Sequence, residues 1–136
     1  MRPLQLIMTA FGPYADVEKI DFRLLENRTM FVISGKTGAG KTTIFDGISF
    51  AIYGKASGED RSGQDLRSHF ANEDVETEVE LTFMLRGTTY RIVRKPQQAR
   101  KKKNGRRIYN DSSYGGIVRN IRRAGKITCF FYSRCR

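Results

Sequence analysis

Eight consecutive residues, Gly35-Lys36-Thr37-Gly38-Ala39-Gly40-Lys41-Thr42, fill every fixed position of the pattern G-x-x-x-x-G-K-[ST]. The chemistry such a segment suits is the gripping of a polyphosphate. Backbone N–H groups surround phosphate oxygens only where the chain curls tightly and no Cβ blocks the approach, which is the part played by Gly35, Gly38 and Gly40. The Lys41 ammonium then reaches the β- and γ-phosphates, the Thr42 hydroxyl offers a ligand to Mg²⁺, and a helix starting here turns its positive end toward the anion. An arginine at 41 would bring a wide planar fork instead of a compact charge, and an alanine at 42 would remove the metal ligand. At average residue frequencies a chance match in a chain of this length has a probability on the order of 0.005. The flanking elements therefore decide the reading.

Those elements read as strand, loop and helix. The run Thr29-Met30-Phe31-Val32-Ile33-Ser34 is β-prone and apolar on both faces, as expected of a buried central strand feeding the loop. From Lys41 the apolar residues Ile44, Phe45, Ile48, Ala51 and Ile52 fall on one helical stripe until Gly54 stops it, and Phe45 and Phe50 are expected in the core. Upstream, residues 4–8 and 17–22, separated by the break Phe11-Gly12-Pro13-Tyr14, read as an antiparallel pair of strands. Downstream, residues 55–72 form a long polar connection with a helical turn around 65–70. Val75, Thr77, Val79, Leu81, Phe83 and Leu85 then alternate with more polar residues, and Arg86-Gly87 leads into a second strand at 90–94, a hairpin with one wet face. No internal repeat is present.

The 136 residues carry a formal charge of +11, which by itself suggests a nucleic-acid binder. Its distribution argues otherwise. Residues 1–95 hold 13 basic and 13 acidic residues, whereas residues 96–136 hold 12 basic residues against the single carboxylate Asp111. The excess describes the tail and not the part that carries the loop. No stretch approaches the length of a membrane helix and the start is too short an apolar run for a secretory signal, so the expected location is the cytoplasm, with no membrane partner. Cys129 and Cys135 match neither a zinc pair nor a redox motif, and His69 is the only histidine, which excludes an ordinary His-ligated metal site or a Ser-His-Asp triad.

The loop alone is shared by kinases, GTPases and transporter-type ATPases. Two strands ahead of the loop-feeding strand resemble the head of an ABC-type ATPase. In detail the chain resembles the SbcC family, the SMC-like ATPase subunits of a bacterial nuclease that processes DNA ends and hairpins. The residues that carry the likeness are Leu4-Gln5-Leu6-Ile7-Met8-Thr9-Ala10-Phe11-Gly12-Pro13-Tyr14, Ile20-Asp21-Phe22, Phe31-Val32-Ile33-Ser34-Gly35 and the loop itself. It continues through Thr43-Ile44-Phe45-Asp46-Gly47-Ile48-Ser49-Phe50-Ala51-Ile52-Tyr53-Gly54, Glu78-Val79-Glu80-Leu81-Thr82-Phe83 and Tyr90-Arg91-Ile92-Val93-Arg94-Lys95-Pro96. The resemblance implies an α/β P-loop NTPase fold, here the N-terminal lobe of an ABC/SMC-type head with an antiparallel β layer over residues 1–100. It implies ATP and Mg²⁺ as ligands of Gly35, Lys36, Thr37, Gly38, Ala39, Gly40, Lys41, Thr42 and Thr43, with Thr42 on the metal. The partners it implies are a C-terminal ATPase lobe, a nuclease subunit, DNA, and a second head that dimerises on ATP.

Several family features are not in these residues: an acidic pair closing an apolar strand, a Ser-Gly-Gly signature, heptads, a Cys-x-x-Cys hook and a recognisable Gln-bearing loop. Hydrolysis needs a water-positioning group and charge stabilisation from both halves of a dimer, so the chain is expected to bind Mg-ATP without turning it over, and no catalytic residue is assigned. Residues 101–136 are expected to be a disordered or out-of-frame tail. A basic arm stacking Tyr109, Tyr114 and Tyr132 on bases and a merely solvated tail compete with loss of the reading frame near Gly105, the preferred reading. The competing functions are an inactive product of a frameshifted gene and a small P-loop kinase or GTPase, the latter weakened by the lack of a base-reading Asn-Lys-x-Asp motif. Lys55, Arg61 and Arg67 read as a solvated loop, Glu76, Glu78 and Glu80 as an exposed sheet face and not a metal site, and Asp46 as a polar-contact residue and not a catalyst.

Overall fold

The computed structural model describes residues 1–26, 28, 30–57, 63–96, 98–101, 108–111, 116–121 and 128–132, by backbone alone at 63–64 and from 98 onward. The expected strand pair is present as β1 (Arg2–Thr9) and β2 (Val17–Asp21), antiparallel, with Gln5 opposite Asp21 and Thr9 opposite Val17. The alternating segment forms β3 (Glu78–Leu85) and β4 (Thr88–Arg94). Their two-residue connection is Arg86 at φ 49° and Gly87 at φ 76°. Positive φ at both positions gives the turn the hand that matches strand twist.

β1 lies between β2 and β3, so the sheet begins β2-β1-β3-β4 with every pair antiparallel. The β1–β3 register slips between Pro3 and Gln5, where proline has no N–H to give the ladder. One helix, α1 (Lys41–Tyr53), covers one face of this sheet. Leu6 and Met8 of β1, Val79, Leu81 and Phe83 of β3, and Ile92 of β4 pack there with Phe50 and Ala51 of α1 and with Phe11, Phe22 and Leu66. Gly47 permits the approach, since a Cβ there would stand 2.7 Å from Met8 Sδ. The helix ends at Gly54 in the left-handed conformation, with its N–H on the Phe50 carbonyl at 2.8 Å. Arg94 of β4 donates to the carbonyls of Ala51 (3.1 Å) and Ile52 (3.3 Å), capping the same end, and burial lowers its pKa.

Three expectations are corrected. Residues 29–34 were read as a buried central strand, but the described ones, 30–34, form no strand: Met30 is 87 % exposed and Val32 90 %, while Phe31 meets Phe22 at 5.8 Å and Ile33 is half-buried (Thr29 lies outside the described residues). A strand apolar on both faces needs neighbours on both edges and cover on both sides. Among the described residues the antiparallel sheet is complete without it, and α1 covers the other elements. Phe45, expected in the core, is 51 % exposed. At about 100° per residue it lies nearly opposite Gly47, whose close contact with β1 sets which face of α1 turns inward. The buried helix residues are accordingly Thr43, Asp46, Gly47, Phe50 and Ala51, with Ile44, Ile48 and Ile52 half-buried at the flank. The short turn in the long connection falls at Gly63–Leu66, ahead of 65–70.

Residues 101–136 were expected to be a disordered or out-of-frame tail. In the described part the backbone forms β5 (Gln98–Lys101) paired with β6 (Ile108–Asp111), and β7 (Gly116–Ile121) paired with β8 (Thr128–Tyr132). β7 adds to β4, with Arg91 opposite Arg119, and extends the sheet to six strands. The outer edge of β4 offers a row of unpaired N–H and C=O groups, and a β-prone segment such as Ile117-Val118 satisfies them whatever its charge. Among the described residues no helix is long and apolar enough to cross a membrane.

Candidate nucleotide-binding site

The glycine loop curls as its composition requires. Gly38 (φ 84°) and Gly40 (φ 78°) both lie in the left-handed region, the N–H of Ala39 bonds the Lys36 carbonyl at 3.2 Å, and Gly40 is the N-cap residue of α1. Lys41, at the first turn of the helix, bends back over the loop. Its Nζ donates to the carbonyl oxygens of Gly35 (2.8 Å) and Lys36 (2.7 Å), so the ammonium sits inside the curl.

A cavity of about 710 Å³ opens beside it. Of the residues singled out from sequence, Thr37, Gly38, Gly40, Lys41, Thr42 and Thr43 line it, whereas Gly35, Lys36 and Ala39 do not. Thr42 faces the cavity on the first turn of α1. Thr43 is buried, its N–H on the Gly40 carbonyl at 3.0 Å and its side chain against Gly12, where a Cβ would come within 2.7 Å of Cγ2. The first turn of α1, the glycine loop and the Lys41 side chain thus meet at one concavity, an arrangement of a kind that suits an anion.

The opposite wall comes from residues the loop pattern does not contain: Gly12 and Pro13 of the β1–β2 turn, and Asp65, Arg67 and His69 of the long connection. The break Phe11-Gly12-Pro13-Tyr14 was the one signal that the first of these carried a special backbone. Arg67, expected on a solvated loop, is half-buried and structural. It donates to the Val75 carbonyl (2.6 Å), Thr77 Oγ1 (3.1 Å) and the Asn72 carbonyl (2.9 Å), and its backbone bridges Phe11. It thereby ties residues 67–77 to the end of β1. Arg61 lies outside the described residues.

Tyr14 crosses from the turn to the loop, its hydroxyl donating to the Gly40 carbonyl at 3.2 Å. Burial, with the Glu18 carboxylate nearby, raises its pKa and keeps the hydroxyl a donor. Asp46, 2 % exposed, accepts from the Ser57 N–H (3.0 Å) and the Ser57 hydroxyl, which closes the chain beyond α1 and agrees with a polar-contact role. Glu76 and Glu78 bind the Lys95 ammonium at 2.7 and 3.3 Å and Glu80 binds Arg91, so this face carries cross-strand ion pairs. The Glu76 partnership raises the Lys95 pKa. No cluster of three metal-binding side chains occurs among the described residues.

A family model described as AAA domain matches residues 5–128. The chain belongs to the AAA domain family. The match passes Gly105, near which loss of the reading frame was expected, and takes in β6 and β7 beyond it. The chain is also similar to curated proteins named as the SbcC subunit of the nuclease SbcCD. It is 43 % identical over 118 residues to that of Vibrio cholerae, 52 % over 94 residues to that of Staphylococcus saprophyticus, and 45 % over 105 residues to that of Lactococcus lactis. These alignments take in 87, 69 and 77 % of the chain but 12, 9 and 10 % of the respective relatives. The chain thus spans about a tenth of the length of the curated relatives it matches. The resemblance read from the residues is the one found, and this AAA domain carries its glycine loop at the mouth of a cavity.

Proposed function

We propose that this domain binds Mg-ATP as the N-terminal lobe of an SbcC-like ATPase head. Gly35 through Thr43 hold the triphosphate and Thr42 supplies the hydroxyl ligand to Mg²⁺. The observation that carries the reading is the convergence on one cavity of the curled loop, the Lys41 ammonium and the first turn of α1. A triphosphate entering there displaces the Gly35 and Lys36 carbonyls from Lys41 and replaces neutral acceptors by an anion, a stronger charge-assisted pair.

Residues 1–100 supply this lobe and residues 101–136 a basic extension. The exposed run at 30–32 and the outer flank of α1, with Phe45, are the surface that a C-terminal ATPase lobe covers, which explains why a segment patterned for burial stands in solvent. Head dimerisation on ATP, a nuclease subunit and DNA, in the cytoplasm, complete the function of the assembled protein. The lobe alone binds nucleotide without turnover, since water positioning and the second charge clamp come from the other parts.

The test is thermal unfolding of the chain with Mg-ATP. Ligand at a hundred times its Kd is expected to stabilise the fold by about 2.7 kcal/mol, GTP to do so less, and Lys41→Ala to abolish the effect. Equal protection of the wild type and Lys41→Ala would exclude the loop as the site.

A further inference from the structure

The turn joining β1 to β2 is held more firmly than a connection between two strands requires. Ala10 is fully buried at φ 49°, a conformation a residue with a Cβ keeps only where its surroundings impose it. Its N–H donates to the Asp16 carbonyl (3.2 Å), and its own carbonyl accepts from the Ser68 N–H (2.8 Å) and the Thr77 hydroxyl (3.1 Å). Two residues on, the Gly12 N–H donates to the Leu66 carbonyl at 2.9 Å, while the buried Phe11 ring packs on Phe50 of α1, centroids 6.0 Å apart. The turn is therefore fixed from the residue before β2, from the 66–68 segment, from the residue before β3 and from the helix.

Out of this frame Tyr14 reaches the last glycine of the loop. Its hydroxyl lies so close that a Cβ on residue 40 would meet it at 2.4 Å. The Gly40 carbonyl, in turn, is held by two donors, Tyr14 Oη at 3.2 Å and the Thr43 N–H at 3.0 Å. Because the peptide unit is planar and trans, fixing that carbonyl fixes the Lys41 N–H pointing the opposite way, off the start of α1.

We propose that Tyr14 is a positioning residue of the phosphate site: by donating to the Gly40 carbonyl it locks the Gly40–Lys41 peptide and aims the Lys41 amide at the bound polyphosphate. The inference rests on the triphosphate reading of the loop and adds a group that the loop pattern does not contain. Tyr14 touches no phosphate; it acts through Gly40.

The probe is inorganic triphosphate with Mg²⁺, beside Mg-ATP, titrated into the whole chain. Tyr14→Phe keeps the ring and removes one neutral hydrogen bond, and is expected to weaken both ligands by the same factor, about five-fold. In the unliganded protein the amide resonances of Gly40 and Lys41 move while those of β3 stay. Weakening of Mg-ATP alone would mean that Tyr14 meets the base or sugar, and would overturn the proposal. Unchanged affinity for both ligands in a Tyr14→Phe chain would overturn it too, with the triphosphate reading left intact as long as Lys41→Ala abolishes binding. A wild type that binds neither ligand overturns both. If Tyr14→Phe fails to fold, Gly12→Ala decides: a Cβ there stands 2.7 Å from Thr43 Cγ2 and displaces the turn that carries Tyr14, and full triphosphate affinity there would sink the proposal.

Discussion

The loop end of α1 and its outer flank belong to one helix of 13 residues, yet they meet opposite conditions. At the loop end the backbone is fixed by the β1–β2 turn, by Tyr14 and by the segment Arg67 ties down. On the flank Phe45, and elsewhere the run at 30–32, present apolar side chains to water. The first region carries unusual backbone angles supported by hydrogen bonds on several sides. The second carries ordinary, β-prone side chains without a ladder. What separates them is not hydrophobicity but whether the described residues supply partners.

Substitutions sharpen this contrast. The largest effect is expected at Phe50, fully buried where helix, turn and sheet meet: Phe50→Ala should cost about 3–5 kcal/mol by the loss of transfer energy and the cavity left behind. Urea unfolding checks it, and a loss under about 1 kcal/mol would show that the helix does not depend on this contact. Arg67→Ala comes next. Removing a charged donor from two carbonyls and the Thr77 hydroxyl is expected to lower stability by about 2 kcal/mol and to loosen the cavity wall, so Mg-ATP affinity falls together with the melting temperature. An unchanged melting temperature would mean that the connection does not need this anchor. Smallest of all is Val32→Ser in the exposed run at 30–32, expected to stay within about 0.5 kcal/mol of wild type in this chain. Strong destabilisation by Val32→Ser would break the comparison, since it would place the run inside a packed structure.

The two hairpin-forming pairs, the helix and the loop were legible because each rests on local chemistry. Period-two alternation fixes β3, two residues able to take positive φ fix its turn, and glycines followed by a helix stripe fix the loop and α1. The cavity's second wall was not legible. Gly12 and His69 lie 57 positions apart and meet only because the Phe11–Arg67 bridge and the Gly12–Leu66 hydrogen bond bring their segments together. Nor could pattern alone tell that Phe45 faces out, since a stripe of apolar residues wider than the contact leaves the helix free to turn until Gly47 meets Met8.

The sequence by itself determined the curl of the glycine loop, since Gly38, Gly40 and Lys41 with its acceptors at Gly35 and Lys36 lie within a few residues of one another. Tertiary structure alone decided what stands across from that curl, which face of α1 is covered, and that the segment at 30–32 is left in water. Those outcomes depend on contacts between residues far apart in the chain, and a contact of that kind has no local signature for a sequence to display.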